Sequence, residues 1–369
     1  MTPVTLLHVF STFGPGGPQI RTIDTLTALG PEFRHLILAM DGVTTATARI
    51  PAALDYRLLS APRSAGPLAF RSFFRDTPCD LVLTYNWGAI EAALGARLAR
   101  RPLIHAEHGF GPDEATRRKS RRVLFRRYVL RGAHAVVVPS KVLYQIALHE
   151  YRLPLNQVHY IPNGVDLQRF APAPPPDRIP VIGAVANLRP VKNLDLLLHA
   201  FAALPLGSAH LLLVGDGPSR TALQQTAARL GCADRITWAG PVTDPAPLYR
   251  DIDIFALSSS TEQMPMALLE AMASGLPAVC TDVGDCSAII GERQVPAGNV
   301  QAFTAALRAL VENRALRQRH GAANRRRCEQ LYSRDAMIEA YRALYRSAYK
   351  QAPTRFTTCG RDCVSGSDA

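Results

Sequence analysis

Nothing in this 369-residue chain approaches the roughly 20 consecutive apolar residues of a membrane-spanning helix, which argues against a helical integral membrane protein. A basic stretch ahead of a short apolar leader is also lacking. Met1-Thr-Pro-Val-Thr-Leu-Leu-His8 therefore reads as a first strand rather than a signal peptide. The seven cysteines are scattered apart from Cys280/Cys286 and Cys359/Cys363. Neither pair has a companion at zinc-finger spacing, and an odd count argues against a disulfide framework. A reduced, cytoplasmic protein with no metal site is expected.

What is present suits ordinary globular cores: 47% hydrophobic and 20% charged residues, in a chain long enough for two domains. The net charge of +12 is uneven. Arg117 to Arg131 holds eight Lys/Arg and no acid, with Val123, Leu124, Phe125, Tyr128, Val129 and Leu130 interleaved, and Arg325-Arg-Arg327 adds a second cluster. This balance favours an anionic partner: a phosphate-bearing substrate, acidic lipid or nucleic acid. The last is disfavoured, because the aromatics do not form stacking platforms and no reading helix or zinc-finger spacing is evident. The 117–131 segment is expected to form a basic amphipathic helix lying on an anionic membrane surface.

Strand-like apolar runs alternate with helical stretches. They are Val4–Phe10, His35–Met40, Leu81–Tyr85, Leu103–His105 and Ala135–Val138, then Val181–Val185, His210–Val214, Ile236–Ala239, Ile252–Leu257 and Ala278–Cys280. Many are continuous rather than alternating, as in strands buried on both faces of a parallel sheet. Ile161-Pro-Asn-Gly-Val-Asp166 and the proline-rich Ala171–Asp177 interrupt the rhythm. The expected fold is α/β, with two doubly wound, Rossmann-like domains facing across a cleft. Residues 1–168 form the first and 169–333 the second. A helix at about 334–351 is expected to pack back onto the first, and 352–369 reads as a disordered tail.

Open α/β sheets bind ligands at the carboxyl ends of their strands, so the loops there carry the chemistry. After Ile252–Leu257 come hydroxyl residues, then Glu262, Pro265 in the first helical position, and good helix formers from Met266 through Glu270 to Ala273. A helix start offers free N–H groups to a diphosphate. Glu270, inside the helix, suits a ribose diol, while Glu262, in the loop, reaches a sugar beyond the phosphates. Arg189 and Lys192 lie in the strand-to-helix loop Ala186–Asn193, with Asn193 as the expected N-cap. Two cations in such a loop meet what a diphosphate requires. The first turn, Phe13-Gly-Pro-Gly-Gly-Pro-Gln19, lets backbone approach a ligand, although it is not the complete dinucleotide fingerprint. His108 ends Leu103-Ile-His-Ala-Glu-His-Gly109 facing the cleft, whereas His105 reads as core.

Six motifs in order, Gly16-Gly17, Glu-His108-Gly, Asn163-Gly-Val-Asp166, Arg189-Pro-Val-Lys192, Gly215-Asp-Gly-Pro218 and Glu262-x7-Glu270, resemble the retaining glycosyltransferases of family 4, which have the GT-B fold. The likeness covers about residues 4 to 345. It implies a nucleotide-diphosphate sugar as donor, UDP- or GDP-linked, with no resident cofactor, and a glycan or glycolipid as acceptor. By the same resemblance, Gly16 and Gly17 place N–H groups beside the donor phosphate, and Arg189 and Lys192 neutralise the leaving diphosphate. Glu270 holds the ribose, and Glu262 meets the transferred sugar or its phosphate side. Met264, Pro265 and Met266 line the sugar pocket, Val242 lines the base, and His108 stands near the reacting sugar. The sequence departs from the family where Asn187 replaces a frequent arginine, leaving Arg189 to fill that role. Gln263 replaces the usual glycine, which puts a longer side chain into the pocket, and Met264 often corresponds to phenylalanine. The alternatives are a non-catalytic nucleotide-sugar-binding module and a GT-B-fold epimerase or phosphorylase.

Overall fold

The computed structural model describes residues 3–351, except 65, 115–116, 175–177 and 293. The expected disordered tail, 352–369, lies outside the described residues, as do the last three residues of the proline-rich break. Twelve parallel strands form two sheets. The first contains β1 (Val4–Phe10), β2 (Phe33–Ala39), β3 (Tyr56–Leu59), β4 (Leu81–Tyr85), β5 (Leu103–Ala106), β6 (Ala135–Val138) and β7 (Val158–Tyr160). The second contains β8 (Val181–Val185), β9 (His210–Val214), β10 (Ile236–Gly240), β11 (Ile254–Leu257) and β12 (Ala278–Cys280). Their orders are β3-β2-β1-β4-β5-β6-β7 and β10-β9-β8-β11-β12.

Each order reverses once, between β1 and β4 and between β8 and β11. At such a switch point neighbouring connections leave on opposite faces and open a crevice at the strand ends. Helices sandwich both sheets, and the continuous apolar runs of β4 and β6 are buried along their whole length. Strands β3 and β7 were not marked by apolar runs. They are the two edge strands of the first sheet, pair on one side only, and are partly exposed, so they need less apolar sequence.

The chain crosses between the domains twice. Val165 and Ser333 form an isolated parallel bridge, with Val165 N–H donating to Tyr332 O at 2.9 Å and Arg334 N–H donating to Val165 O at 3.1 Å. The helix Arg334–Lys350 then returns to the first domain. It buries Met337, Ile338, Tyr341, Leu344 and Tyr345 in the same core as Leu6, Leu26, Phe33 and Ile37. Arg334 fixes its start through a bidentate contact with Asp24, at 2.7 and 2.5 Å.

The two crossing segments lie so close that a Cβ on Gly164 would stand 2.6 Å from Arg334 Cα and 2.8 Å from Ser333 O. Backbone cannot yield as a flexible side chain can. Gly164→Ala is therefore expected to destabilise the protein by about 1–3 kcal/mol, read as a lower midpoint of thermal denaturation. An unchanged midpoint would contradict this packing.

Candidate active site

Both switch points open into one cavity of about 480 Å³ between the sheets. Gly17, Arg21, His108 and Asn163 line its first-domain wall, while Arg189, Lys192, Glu262, Met264, Pro265 and Met266 line the other. The structure thus brings together His108, Arg189, Lys192 and Glu262, along with most of the expected donor-site residues. Gly16 lies just outside the lining. Gly17 opens the helix Gly17–Leu29, and a Cβ there would meet no atom within 4 Å, because it faces the open cleft.

Lys192 and Glu262 are paired with each other. Lys192 Nζ donates to Glu262 Oε1 at 2.5 Å, and Ser259 Oγ donates to the same oxygen at 2.7 Å. The loops that carry them are tied together, since Ser258 Oγ donates to Lys192 O at 3.0 Å and Ser260 N–H to Val191 O at 2.9 Å. Arg189 is exposed on the cavity rim and forms no ion pair with a described residue. Asn193 stands at the expected N-cap of the helix Leu194–Ala202, but without a side-chain cap bond. The turn Pro190–Lys192 needs a reversal at its end, so Asn193 takes a left-handed conformation (φ 45°, ψ 44°) and its side chain caps nothing. Pro265 is likewise the extended N-cap of the helix Met266–Ala273 rather than its first helical residue (φ −70°, ψ 121°).

Gln263, the departure from glycine, spans the cleft: its Oε1 accepts from Ser140 Oγ at 3.3 Å. The same loop is held from below. Gly284 (φ +55°) lies under it, where a Cβ would come within 2.3 Å of Glu262 O. Asp285 N–H donates to Gln263 O at 3.0 Å. The Asp285 carboxylate accepts from Lys141 N–H (2.5 Å) and Val142 N–H (3.1 Å), at the start of the first-domain helix Lys141–His149.

Glu270 and Val242 stand apart from this cavity. Tyr249 Oη donates to Glu270 Oε2 at 2.8 Å, and burial raises the Glu270 pKa against the opposing effects of that hydrogen bond and of Arg169. The charge of Asp244, two residues after Val242, also acts on Glu270, so the loop after β10 and this carboxylate are neighbours. Val242 packs partly buried on the core that contains Tyr249 and Met264.

His108 is held by its backbone and its ring. Its N–H donates to Asn86 Oδ1 at 2.6 Å, and Arg21 Nη2 lies 2.7 Å from its Nδ1 and 2.5 Å from its Nε2. Burial above all, then the charge of Arg21 and the proximity of His105, hold its pKa well below that of a free imidazole. Arg21, Asn163, Tyr249, Ser259 and Asp285 went unmarked as site residues in the sequence. Asn163 belonged to a quoted motif and Ser259 to the hydroxyl run before Glu262, three residues from its partner, but Arg21, Tyr249 and Asp285 follow from tertiary contacts that carry no local signal.

The 117–131 segment differs from a free basic face. Arg126 is fully buried, donating to Glu107 (3.2 Å) and Glu114 (3.1 Å). Arg118 pairs with Glu150, Lys119 with Asp113, and Arg122 with Asp113 and Glu114. The helix itself spans only Ser120–Leu130; Arg121, Leu124 and Tyr128 stay exposed on it, and Arg117 and Arg131 are exposed at its flanks. No described helix is long and apolar enough to cross a membrane.

Two family models divide the chain. Residues 8–169 match the model described as Glycosyltransferase Family 4, and residues 179–313 the one described as Glycosyl transferases group 1. The chain is 30% identical over 176 residues to the lipopolysaccharide core biosynthesis glycosyltransferase LpsE of Rhizobium meliloti, covering 47% of this chain and 51% of that one. It is 26% identical over 327 residues to the D-inositol 3-phosphate glycosyltransferase of Salinispora tropica, covering 76% and 67%. The chain spans about half the length of the first relatives it matches. In fold it is similar to Anabaena Alr3699/HepE in complex with UDP, at a TM-score of 0.80 and 18% identity, covering 93% of this chain and 100% of that one. The chain thus has the two-domain GT-B fold, and each of its halves is similar to a glycosyltransferase family model.

Proposed function

We propose that the protein transfers a sugar from a nucleotide-diphosphate donor to an acceptor hydroxyl, with retention at the anomeric carbon. The observation that carries this reading is the cavity itself, where Arg189, Lys192, the start of the helix Met266–Ala273 and His108 converge from two domains. The diphosphate sits against Arg189, Lys192 and the Gly16-Gly17 turn, with the nucleoside toward Val242 and its ribose on Glu270. As the glycosidic bond lengthens, positive charge develops on the sugar and negative charge on the departing phosphate. Lys192 and Arg189 meet the second, and the phosphate oxygen takes the acceptor's proton. No metal, resident cofactor or protein nucleophile is required by this scheme. Glu262 fixes Lys192 in place and presents its remaining oxygen to the transferred sugar.

HepE has been solved with UDP and with UDP-glucose, and LpsE is named for lipopolysaccharide core synthesis. HepE's ligands favour UDP over GDP in the proposed donor, and the LpsE name favours a lipid-linked glycan acceptor; we infer further that the enzyme works at the cytoplasmic face of a membrane. The exposed helical residues Arg121, Leu124 and Tyr128, flanked by Arg117 and Arg131, suit that position: each basic residue near an anionic surface contributes about 1 kcal/mol, and Leu124 and Tyr128 add apolar contact.

The donor is identified by incubating the protein with UDP-, GDP- and ADP-sugars and following nucleotide release. With the active donor, Lys192→Ala is expected to lower kcat about 10²–10³-fold while the thermal midpoint changes little. Near-normal turnover by the folded variant would refute the assignment. Because the raised Glu270 pKa brings its protonation closer to neutrality, nucleotide affinity should weaken as pH falls, starting above the range of an ordinary carboxylate. Calorimetric titration of Glu270→Gln should show weaker binding with that acid-side dependence flattened. Flotation with anionic vesicles at low salt should recover the wild type, whereas Leu124→Glu/Tyr128→Glu should stay in the soluble fraction with turnover on a water-soluble acceptor unchanged. Equal flotation of both proteins would remove this face from the account.

A further inference from the structure

Arg21 is the charged group in the cavity wall that no sequence motif marks. It is the fifth residue of the helix Gly17–Leu29, is only 8% exposed, and forms no ion pair with a described carboxylate. Its neighbour on the helix does otherwise: Asp24, one turn on, is committed to Arg334. The Arg21 guanidinium instead divides itself between two neutral groups. Nη1 donates to Asn163 Oδ1, and Nη2 lies against the ring nitrogens of His108. Asn163 continues the chain across the cleft, where its Nδ2 donates to Met264 O at 3.0 Å and its backbone N–H points at Met264 Sδ at 3.1 Å. Met264 adjoins Gln263 and lies in the loop that carries Glu262.

Burying a guanidinium without a carboxylate is costly, and its place here is accounted for by what its charge and its donors do to their neighbours. An arginine has donors and no acceptor, so a histidine nitrogen facing it must be unprotonated. An imidazolium beside the developing sugar cation would repel it, whereas a neutral imidazole can hydrogen-bond a sugar hydroxyl without that penalty. Resting on the transferase reading above, we propose that Arg21 is a positioning residue: it orients the His108 ring, and through Asn163 joins it to the Met264 loop of the facing domain. The cavity then assembles its two halves in register, with His108 set by the same contact that seats the donor loop.

The charged and titratable groups around His108 are Arg21 from the first helix, Tyr85 from β4 with its ring centroid 5.9 Å away, and His105 from its own strand. Glu107, the preceding residue, is engaged with the buried Arg126. Arg189 and the Lys192–Glu262 pair line the second-domain wall of the same cavity. Of these Arg21 alone is a fixed cation touching the ring, so removing its charge should move the His108 titration upward.

The test uses the full-length protein and three variants: Arg21→Met, Arg21→Gln, which keeps a donor for Asn163, and Arg21→Lys, which keeps the charge. Nuclear magnetic resonance of nitrogen-labelled histidine follows His108 from about pH 8 to pH 5, independently of any activity. The wild-type and Arg21→Lys rings are expected to behave alike, and the Arg21→Met and Arg21→Gln rings to take up their proton at higher pH than the wild type. With the active donor, Arg21→Met should lower kcat about 10²-fold, with an acid limb displaced to higher pH, unchanged calorimetric affinity for the nucleotide, and partial recovery in Arg21→Lys. If His108 titrates alike in the wild type and Arg21→Gln, or if Arg21→Met loses nucleotide affinity in step with kcat, the inference is overturned. Should no donor be turned over by the wild type, the transferase reading fails on its own, while the histidine titration still decides what Arg21 does.

Discussion

Every feature of the site depends on how the loop Ser258–Pro265 is gripped. It leaves β11 at the switch point of the second sheet, and contacts from three directions fix it. Ser258 and Ser260 bind it to the Arg189–Lys192 turn. Gly284 and Asp285 support it from underneath. Ser140 reaches Gln263 and Asn163 reaches Met264 from the opposite domain. A loop secured from both sides of a cleft presents its N–H groups and Glu262 in one geometry, which is the preorganisation that charge stabilisation requires. Asp285 has a double part in this, because its backbone holds the loop while its carboxylate neutralises the start of a first-domain helix.

The electrostatics of the cavity follow from this arrangement. Arg21, Arg189, Lys192 and Glu262 are its charged residues, so three cations face a single carboxylate. Glu262 is engaged with Lys192, which keeps the ammonium within the cavity before any ligand arrives. In the proposed function a diphosphate meets Lys192, already held by Glu262, and the exposed Arg189, while Arg21 stays turned to His108 and Asn163. Glu270 lies outside the cationic zone, where Tyr249 orients it and burial raises its proton affinity. The cationic cavity and the surroundings of Glu270 are therefore two separate environments of the second domain.

Most of the architecture was legible in the sequence because parallel strands buried on both faces must be continuous and apolar. Val4–Phe10, Leu81–Tyr85, Val181–Val185 and Ala278–Cys280 illustrate this to the residue. The edge strands β3 and β7 escaped because one open side relaxes that requirement. Loop residues after strands were legible where charge or glycine stood in an otherwise apolar context, as with His108, Arg189, Lys192 and Glu262. Asn193 holds the N-cap position its type suggests, but as the end of the preceding 3₁₀ turn it takes a left-handed conformation and its side chain does not cap. The basic segment was misleading. Its partners Glu107, Glu114 and Glu150 come from outside the run of cations, so counting charge within the run overstated what reaches solvent. Arg21 and Asp285 were invisible because their partners lie more than 80 residues away.

The return of the last helix to the first domain has a bearing on biogenesis. By Tyr160 a ribosome has released every strand of the first sheet, yet the apolar face formed by Leu26, Phe33 and Ile37 still awaits Tyr341, Leu344 and Tyr345. During synthesis of the intervening segment that half carries an uncovered sticky surface, while the sheet β8–β12 is made. Completion of the earlier unit is thereby deferred to the end of translation, and a nascent chain stalled before Arg334 would present a target for chaperones rather than a finished half-enzyme.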